Sequence, residues 1–174
     1  MKLPATPSFS LQGRRALVAG GSSGIGLGCA VALAEAGAHV ILMARRKEQL
    51  DAVVEAIGAA GHSAEALVGD LADIEATSAA IDSIRPLDVF VNSAGLARHS
   101  PATETAADDF DTVMNVNLRG AYFASQAVAK AMIADGRQGS IINISSQMAV
   151  VGGVDRAVYC ASKHAVEGFT KSMA

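Results

Sequence analysis

Tyr159 is followed four residues later by Lys163, and Ser146 stands thirteen residues before the tyrosine. A phenol, an ammonium and a hydroxyl in this order suit one task, the exchange of a proton at a substrate oxygen. Reducing a ketone by hydride transfer leaves negative charge on its oxygen, and oxidising an alcohol requires that its proton be removed. A free phenol titrates near ~10, so a phenol that works near neutrality needs a cation beside it to stabilise its anion. Lys163 lies one helical turn beyond Tyr159 on the same face and can be that cation. Ser146, or Ser145 pointing to the opposite side, can donate a hydrogen bond to the same oxygen as charge develops on it.

Upstream, the run Gly20-Gly21-Ser22-Ser23-Gly24-Ile25-Gly26 follows the apolar stretch Ala16-Leu17-Val18-Ala19. A strand that turns directly into a helix through glycines exposes backbone N–H groups at the positive end of the helix dipole, where a pyrophosphate is stabilised. The spacing is not Gly-x-Gly-x-x-Gly, and the Gly-Lys-Ser or Gly-Lys-Thr of a P-loop is absent. A glycine loop alone says only that a phosphate is near, and a Tyr/Lys pair alone is common on helices. Together, in this chain order, they point to an enzyme of hydride transfer.

The elements that must position these residues alternate between short apolar runs and longer helical patterns, which predicts β-α-β units on a doubly wound, Rossmann-type parallel sheet. Strands are expected over 16–19, 39–43, 64–68, 89–91 and 140–144. Helices are expected over 27–36 with Gly37 at the C-cap, over 47–60 stopped by Gly58 or Gly61, and over 74–84 capped by Asp73 and stopped by Pro86. A long helix from about Leu118 to Asp135 and a last one from near Tyr159 complete the set. The strand exits at 20–26, 44–47, 69–70 and 92–95 should line up along the carboxyl edge of the sheet, where ligands bind in such folds.

With these motifs in place, the chain resembles the short-chain dehydrogenase/reductase family over nearly its whole length, from Leu11 to Ala174. Its loop is similar to the family's Thr-Gly-x-x-x-Gly-Ile-Gly, with Ala19 in place of the threonine, which removes one hydroxyl hydrogen bond. The resemblance selects Ser146 over Ser145 as the serine that holds the substrate oxygen. It matches Asn117, in Asn115-Val116-Asn117-Leu118, to a residue whose backbone holds a water in a proton relay, and leaves Asn115 aside. It gives Tyr159 and Lys163 a further place against the cofactor, with Lys163 hydrogen-bonded to the nicotinamide ribose. Asn117, Ser146, Tyr159 and Lys163 are thus the expected catalytic set.

The same resemblance places Gly20, Ser22, Ser23, Gly24, Ile25 and Gly26 around the pyrophosphate, and Asp70, in Val68-Gly69-Asp70-Leu71, against the adenine ring. Asp70 fits equally as a helix cap or turn residue. Asn92-Ser93-Ala94-Gly95 resembles the family's Asn-Asn-Ala-Gly, in which amides pin adjacent strands and small residues leave room for the cofactor. At the end of the second strand an acidic side chain would favour NAD, but Ala44 is followed by Arg45 and Arg46. An arginine fork suits a 2'-phosphate, so NADP is expected in preference to NAD. Otherwise the two arginines solvate the start of the next helix, although cations oppose the dipole there.

Composition agrees with a single globular domain of 174 residues, 51% hydrophobic and 18% charged. A net charge of -3, 4% aromatic residues and no tryptophan argue against a nucleic-acid surface. Every apolar stretch is shorter than the ~18 to 20 residues of a membrane span. His39, His62, His99 and His164 lie in different segments, so no metal site is expected. Cys29 and Cys160 show no close spacing and no secretory leader is apparent, which predicts a cytoplasmic setting. Residues 1–9, with two prolines, read as a loose leader.

Cys160 and His164 each follow a catalytic position directly and are expected to be packing residues, while Met148, Val150, Val151 and Val154 fit either the substrate side or the core. The resemblance further implies a small carbonyl or alcohol substrate, a sugar acid or oxoacyl compound among the options, and a homotetramer or dimer. Family members run to roughly 250 residues, so two strands, a proline-glycine turn and a substrate lid are expected to be missing from this chain. A non-catalytic dinucleotide-binding protein or an inactive fragment is the alternative. Epimerases and dehydratases share Tyr-x-x-x-Lys but usually carry a Gly-x-x-Gly-x-x-Gly loop.

Overall fold

The computed structural model describes residues 7–174. The strands are β1 (Arg15–Ala19), β2 (His39–Ala44), β3 (Ser63–Val68), β4 (Val89–Asn92) and β5 (Ser140–Asn143). They form one parallel sheet in the order β3-β2-β1-β4-β5, so the chain winds outward first to one side of β1 and then to the other. The ligand crevice of such a sheet lies where the winding reverses, at the carboxyl ends of β1 and β4. The expected doubly wound parallel sheet is the observed one. Positions 7–9 are exposed and form no helix or strand; the rest of the expected leader lies outside the described residues.

Alternation along each strand decides which face a side chain serves. Leu17, Ala19, Ile41, Met43 and Phe90 face one way and pack with Ile81 of α3 (Ile74–Ser83) and with Ala124, Val128, Ala131 and Met132 of α5 (Ala121–Ala134). Ala16, Val18, Val40, Leu42, Val89 and Val91 face the other way and pack with Ala30 and Ala34 of α1 (Gly24–Glu35) and Leu50 and Ile57 of α2 (Lys47–Ala59). Each fully buried Leu, Ile or Phe of this set contributes about 2 kcal/mol of apolar transfer. A strand buried on both faces reads as a continuous apolar run, which is why β1, β2 and β4 were legible without polar alternation.

Asp73 caps α3 as expected, its Oδ1 accepting from the Ala76 N–H at 3.0 Å. Gly37 and Gly61 follow α1 and α2 with φ of +100° and +84°, the left-handed turn that favours glycine. The long central helix differs from the expectation of a start near Leu118. It begins eleven residues earlier as α4 (Ala107–Met114), passes through a π-helical turn (Asn115–Gly120) and continues as α5. Asp108 and Asp109 in the first turn of α4 complement the dipole, and its single buried side chain, Val113, is too weak a stripe to announce a helix. The last helix, α6 (Ala157–Met173), starts two residues before Tyr159.

The amino edge of the sheet is tied by one carboxylate. Asp88 is almost fully buried and accepts from the Arg15 N–H at 2.9 Å and from the Arg14 and Arg137 guanidiniums at 2.9 and 2.7 Å. Burial by itself would raise its pKa, but these donors outweigh it and hold the carboxyl below its ordinary value. The stabilisation is therefore complete above the unfolded carboxylate's ~3.9 and is lost as pH falls through the lower folded value. Asp88→Ala should cost about 3 kcal/mol in urea unfolding at neutral pH. Asp88→Asn should flatten the loss of stability below pH ~4; a variant as acid-sensitive as the wild type would contradict this role.

Candidate active site

The turn from β1 into α1 is shaped by close backbone approach. Gly20 has φ of +75°, and a Cβ there would lie 2.8 Å from the Ala94 N. A Cβ on Gly26 would collide with the Gly20 carbonyl oxygen. These glycines let the start of α1 sit against the β4 exit. Ser23, the N-cap, makes no side-chain cap, so the first N–H groups of α1 face the groove without a protein partner from it.

A groove of 330 Å³ follows the strand exits. Of the positions expected to hold the cofactor, Gly20, Ser22, Ser23, Ile25, Arg45, Arg46, Asp70, Leu71, Ala94 and Gly95 line it. Gly24, Gly26, Asn92, Tyr159 and Lys163 do not; the last two line the neighbouring cavity instead. The open helix end, the backbone that admits no side chain and the two arginines make a cradle that fits a dinucleotide. Asp70 is both a turn residue and a groove residue: its Oδ1 accepts from the Ala72 N–H at 3.0 Å while its Oδ2 lies 3.8 Å from Arg45. Arg46, the N-cap of α2, has no ion-pair partner among the described residues.

A second cavity of 400 Å³ contains Ser145, Ser146, Tyr159 and Lys163 and shares Ile25, Ser93, Gly95 and Leu96 with the groove. Ser146 lies three residues beyond β5 rather than at its end, as the N-cap of a 3-10 turn (Gln147–Ala149). Its Oγ accepts from the Met148 N–H at 3.1 Å, which leaves the hydroxyl proton free to donate into the cavity. Ser145 Oγ is buried without a hydrogen-bond partner among the described residues.

Lys163 is buried, donates to the Ile144 carbonyl at 2.8 Å, and places Nζ 5.9 Å from the centre of the Tyr159 ring. Burial pushes its ammonium below the ordinary lysine value.

Asn117 sits in the π-helical turn and is buried. Its Oδ1 accepts from the Leu96 N–H and its Nδ2 donates to the Leu96 carbonyl, both at 2.8 Å. Nδ2 also donates to Ser162 Oγ at 3.1 Å, and that hydroxyl donates to the Tyr159 carbonyl at 2.8 Å. Asn115, its discarded neighbour, is exposed. A π-turn shifts the register of a helix by one residue, and such turns recur at functional sites.

Asn92 and Asn143 lie opposite one another on β4 and β5, with Nδ2 of the first donating to Oδ1 of the second at 3.3 Å. The amide pinning of adjacent strands expected of Asn92 is present. Asn143 also donates to Thr170 of α6 at 3.2 Å.

Leu96 and Ser162 carry contacts to Asn117 that no spacing signalled. Ser162 was hidden because it stands between the two residues of the Tyr/Lys pair without forming part of it. Of the four apolar residues left between substrate side and core, Met148 lines the cavity, while Val150, Val151 and Val154 are exposed. His164 is exposed and donates from Nδ1 to the Cys160 carbonyl at 2.9 Å, so it is not a packing residue. Among the described residues no three His, Cys, Asp or Glu side chains are grouped to hold a metal, and no helix is long and apolar enough to cross a membrane.

Residues 14–174 match the family model for short chain dehydrogenase. This chain belongs to the short-chain dehydrogenase family. It is 43% identical over 166 residues to an L-xylulose reductase of Mesocricetus auratus, which covers 95% of this chain and 66% of the relative. It is 41% identical over 170 residues to a gluconate 5-dehydrogenase of Gluconobacter oxydans, with the same two coverages. The crystal structure of a gluconate 5-dehydrogenase from Burkholderia cenocepacia in complex with NADP and tartrate superposes with a TM-score of 0.90 at 39% identity, over 95% of this chain and 66% of that one. The chain thus spans 66% of the length of these family members.

The lysine predicts a pH signature. With its folded pKa depressed, the unfolded state binds more protons as pH rises toward 10.5, so stability must rise in that window. In urea unfolding from pH 7 to pH ~10.5, the wild type should gain on Lys163→Met as pH increases. A constant difference between the two would overturn the assignment of burial as the dominant influence on Lys163.

Proposed function

We propose that the protein is an NADP-preferring oxidoreductase that transfers a hydride between nicotinamide and a secondary alcohol or ketone. The observation that carries this reading is the adjacency of two spaces. The cavity holding Ser146, Tyr159 and Lys163 shares the wall of Ile25, Ser93, Gly95 and Leu96 with the groove. A ring bound at that junction would meet a carbonyl held by the serine and the tyrosine. The bound nicotinamide supplies the hydride.

The chain's own residues supply the proton and hold the geometry. In the direction of reduction, Tyr159 gives its phenolic proton to the carbonyl oxygen as negative charge builds there. Ser146 donates a hydrogen bond to the same oxygen. The phenolate that remains is stabilised by Lys163, whose position is fixed by the Ile144 carbonyl. Asn117 fixes Leu96 at the shared wall of the two spaces and, through Ser162, the backbone of Tyr159.

The substrate class we infer is a sugar or sugar acid, as in the names of the relatives that are reductases of L-xylulose and dehydrogenases of gluconate. Arg45 and Arg46 line the groove where a 2'-phosphate would lie, which with the NADP of the Burkholderia structure supports NADP over NAD. A cytoplasmic homo-oligomer is the setting we expect, by analogy with the family.

Two measurements test this. Tyr159→Phe should lower kcat for NADPH-dependent ketone reduction by about 10³-fold while NADPH binding changes by less than about threefold, because the ring is kept and only the proton is lost. Turnover that survived in this variant would remove Tyr159 from the proton path. Arg46→Ala should raise the Kd for NADPH by roughly tenfold to a hundredfold and leave NADH nearly unaffected, since only the first cofactor carries the anion a guanidinium pairs with. Equal losses for both cofactors would refute the phosphate assignment.

A further inference from the structure

Arg156 is the N-cap of α6, three residues before Tyr159, and it lines the same cavity as Ser146 and Tyr159. Its side chain forms no ion pair among the described residues; its one side-chain hydrogen bond there runs from Nη1 to His99 Nε2 at 3.3 Å. Among the described residues no Asp or Glu lines the cavity, so Arg156 and Lys163 face it there without a counter-charge. The position opposes the helix dipole, which disfavours a cation at an N-terminus.

The surroundings hold the guanidinium in place. A Cβ on Gly153 would lie 2.9 Å from Arg156 Cδ, so the glycine makes room for the arginine stem. Asp155, at φ of +57°, accepts from the Ser100 N–H at 3.1 Å through its carbonyl, which ties the segment carrying His99 to the start of α6. Because a guanidinium has no lone pair, His99 accepts at Nε2 and leaves the other donors of Arg156 free.

We propose that Arg156 is a specificity-determining residue that selects a substrate bearing a carboxylate, a keto or hydroxy acid whose reacting carbonyl lies at Ser146 and Tyr159. This rests on the oxidoreductase reading above. The planar fork matches a carboxylate by two parallel hydrogen bonds, whereas a neutral polyol offers it no charge. Arg156 lines the cavity of the catalytic tyrosine and not the dinucleotide groove, so the anion it meets belongs to the substrate rather than to the cofactor's phosphates. Gln147, also at the cavity wall, adds a neutral donor and acceptor suited to the hydroxyls of the same molecule.

The test compares 5-keto-gluconate with L-sorbose, the neutral ketohexose that has a hydroxymethyl group where the acid has its carboxylate. The wild type should prefer the acid in NADPH-dependent kcat/KM. Arg156→Met should lower kcat/KM for the acid by about tenfold to a hundredfold, chiefly through KM, the loss typical of a hydrogen bond to a charged group. The ketohexose should change by less than about threefold and the Kd for NADPH should be unchanged, with Arg156→Lys recovering part of the loss.

In parallel, calorimetric binding of gluconate and sorbitol to the protein saturated with NADP should favour gluconate, and Arg156→Met should abolish the preference. A wild type without preference for the acid in either measurement, or a variant that weakens acid and neutral compound alike, overturns the proposal. Should no ketone be reduced while gluconate still binds through Arg156, the oxidoreductase reading fails and the carboxylate site stands.

Discussion

One buried carboxamide joins the parts of the site that the chain keeps far apart. Asn117 occupies both its oxygen and its nitrogen with the backbone of Leu96, twenty-one residues away, and uses its remaining donor on Ser162, forty-five residues away. Satisfied in this way the amide stabilises; left half-satisfied in the interior it would cost more than an apolar residue. The requirement for full pairing therefore fixes three segments at once: the β4 exit, the central helix and α6. The π-helical turn is what aims the side chain, because one extra residue in the turn rotates Asn117 into the interior and leaves Asn115 outside. Gly120 closes the same turn against the Leu71 carbonyl, where an added Cβ would lie 2.5 Å away, so the floor of the groove is bound to it as well.

The parallel sheet divides stability and chemistry between its two edges. At the amino edge, Asp88 gathers the Arg14 and Arg137 guanidiniums and the Arg15 backbone N–H at the starts of β1, β4 and β5. At the carboxyl edge the strands end at Ala19, Ala44, Val68, Asn92 and Asn143; Asn92 and Asn143 pair with each other, while the exits of β1, β2 and β3 line the open groove. All strands run the same way, so every helix N-terminus that follows a strand lies on this second edge, and its dipole adds to a field that favours anions.

Much of this was legible in the sequence, for reasons that differ by element. β1, β2 and β4 are buried on both faces and announce themselves as apolar runs, and the Gly37 and Gly61 turns follow from backbone conformation alone. The Tyr159/Lys163 pair was legible because helical spacing is local, whereas Ser146, outside that helix, could be told from Ser145 only by resemblance. Asn117 could be told from Asn115 only by resemblance, since choosing between them physically requires the π-turn, which depends on packing against Leu71 and Leu96. The start of α4 was hidden by its polar sequence, and Ser162 by the absence of any rule that links a buried serine to an amide forty-five residues away. The exposure of His164 likewise depends on where α6 docks, not on its distance from Lys163.

The basic residues around the site share a physical oddity. Arg46 and Arg156 are both N-caps, of α2 and α6, and neither makes a side-chain cap. An N-cap normally carries Ser, Thr, Asp or Asn, whose oxygen accepts a free N–H; an arginine has only donors and adds charge of the wrong sign for the dipole. Lys163 is disfavoured by burial in the same region. Three cations thus stand where folding alone would not put them, Arg46 in the groove and Arg156 and Lys163 in the cavity, while the one carboxylate lining the groove among the described residues, Asp70, pairs with Arg45. Folding stability does not explain such a pattern, and neutral ligands would leave it uncompensated. Anions at two separate points, one toward α2 and one toward α6, would offset it.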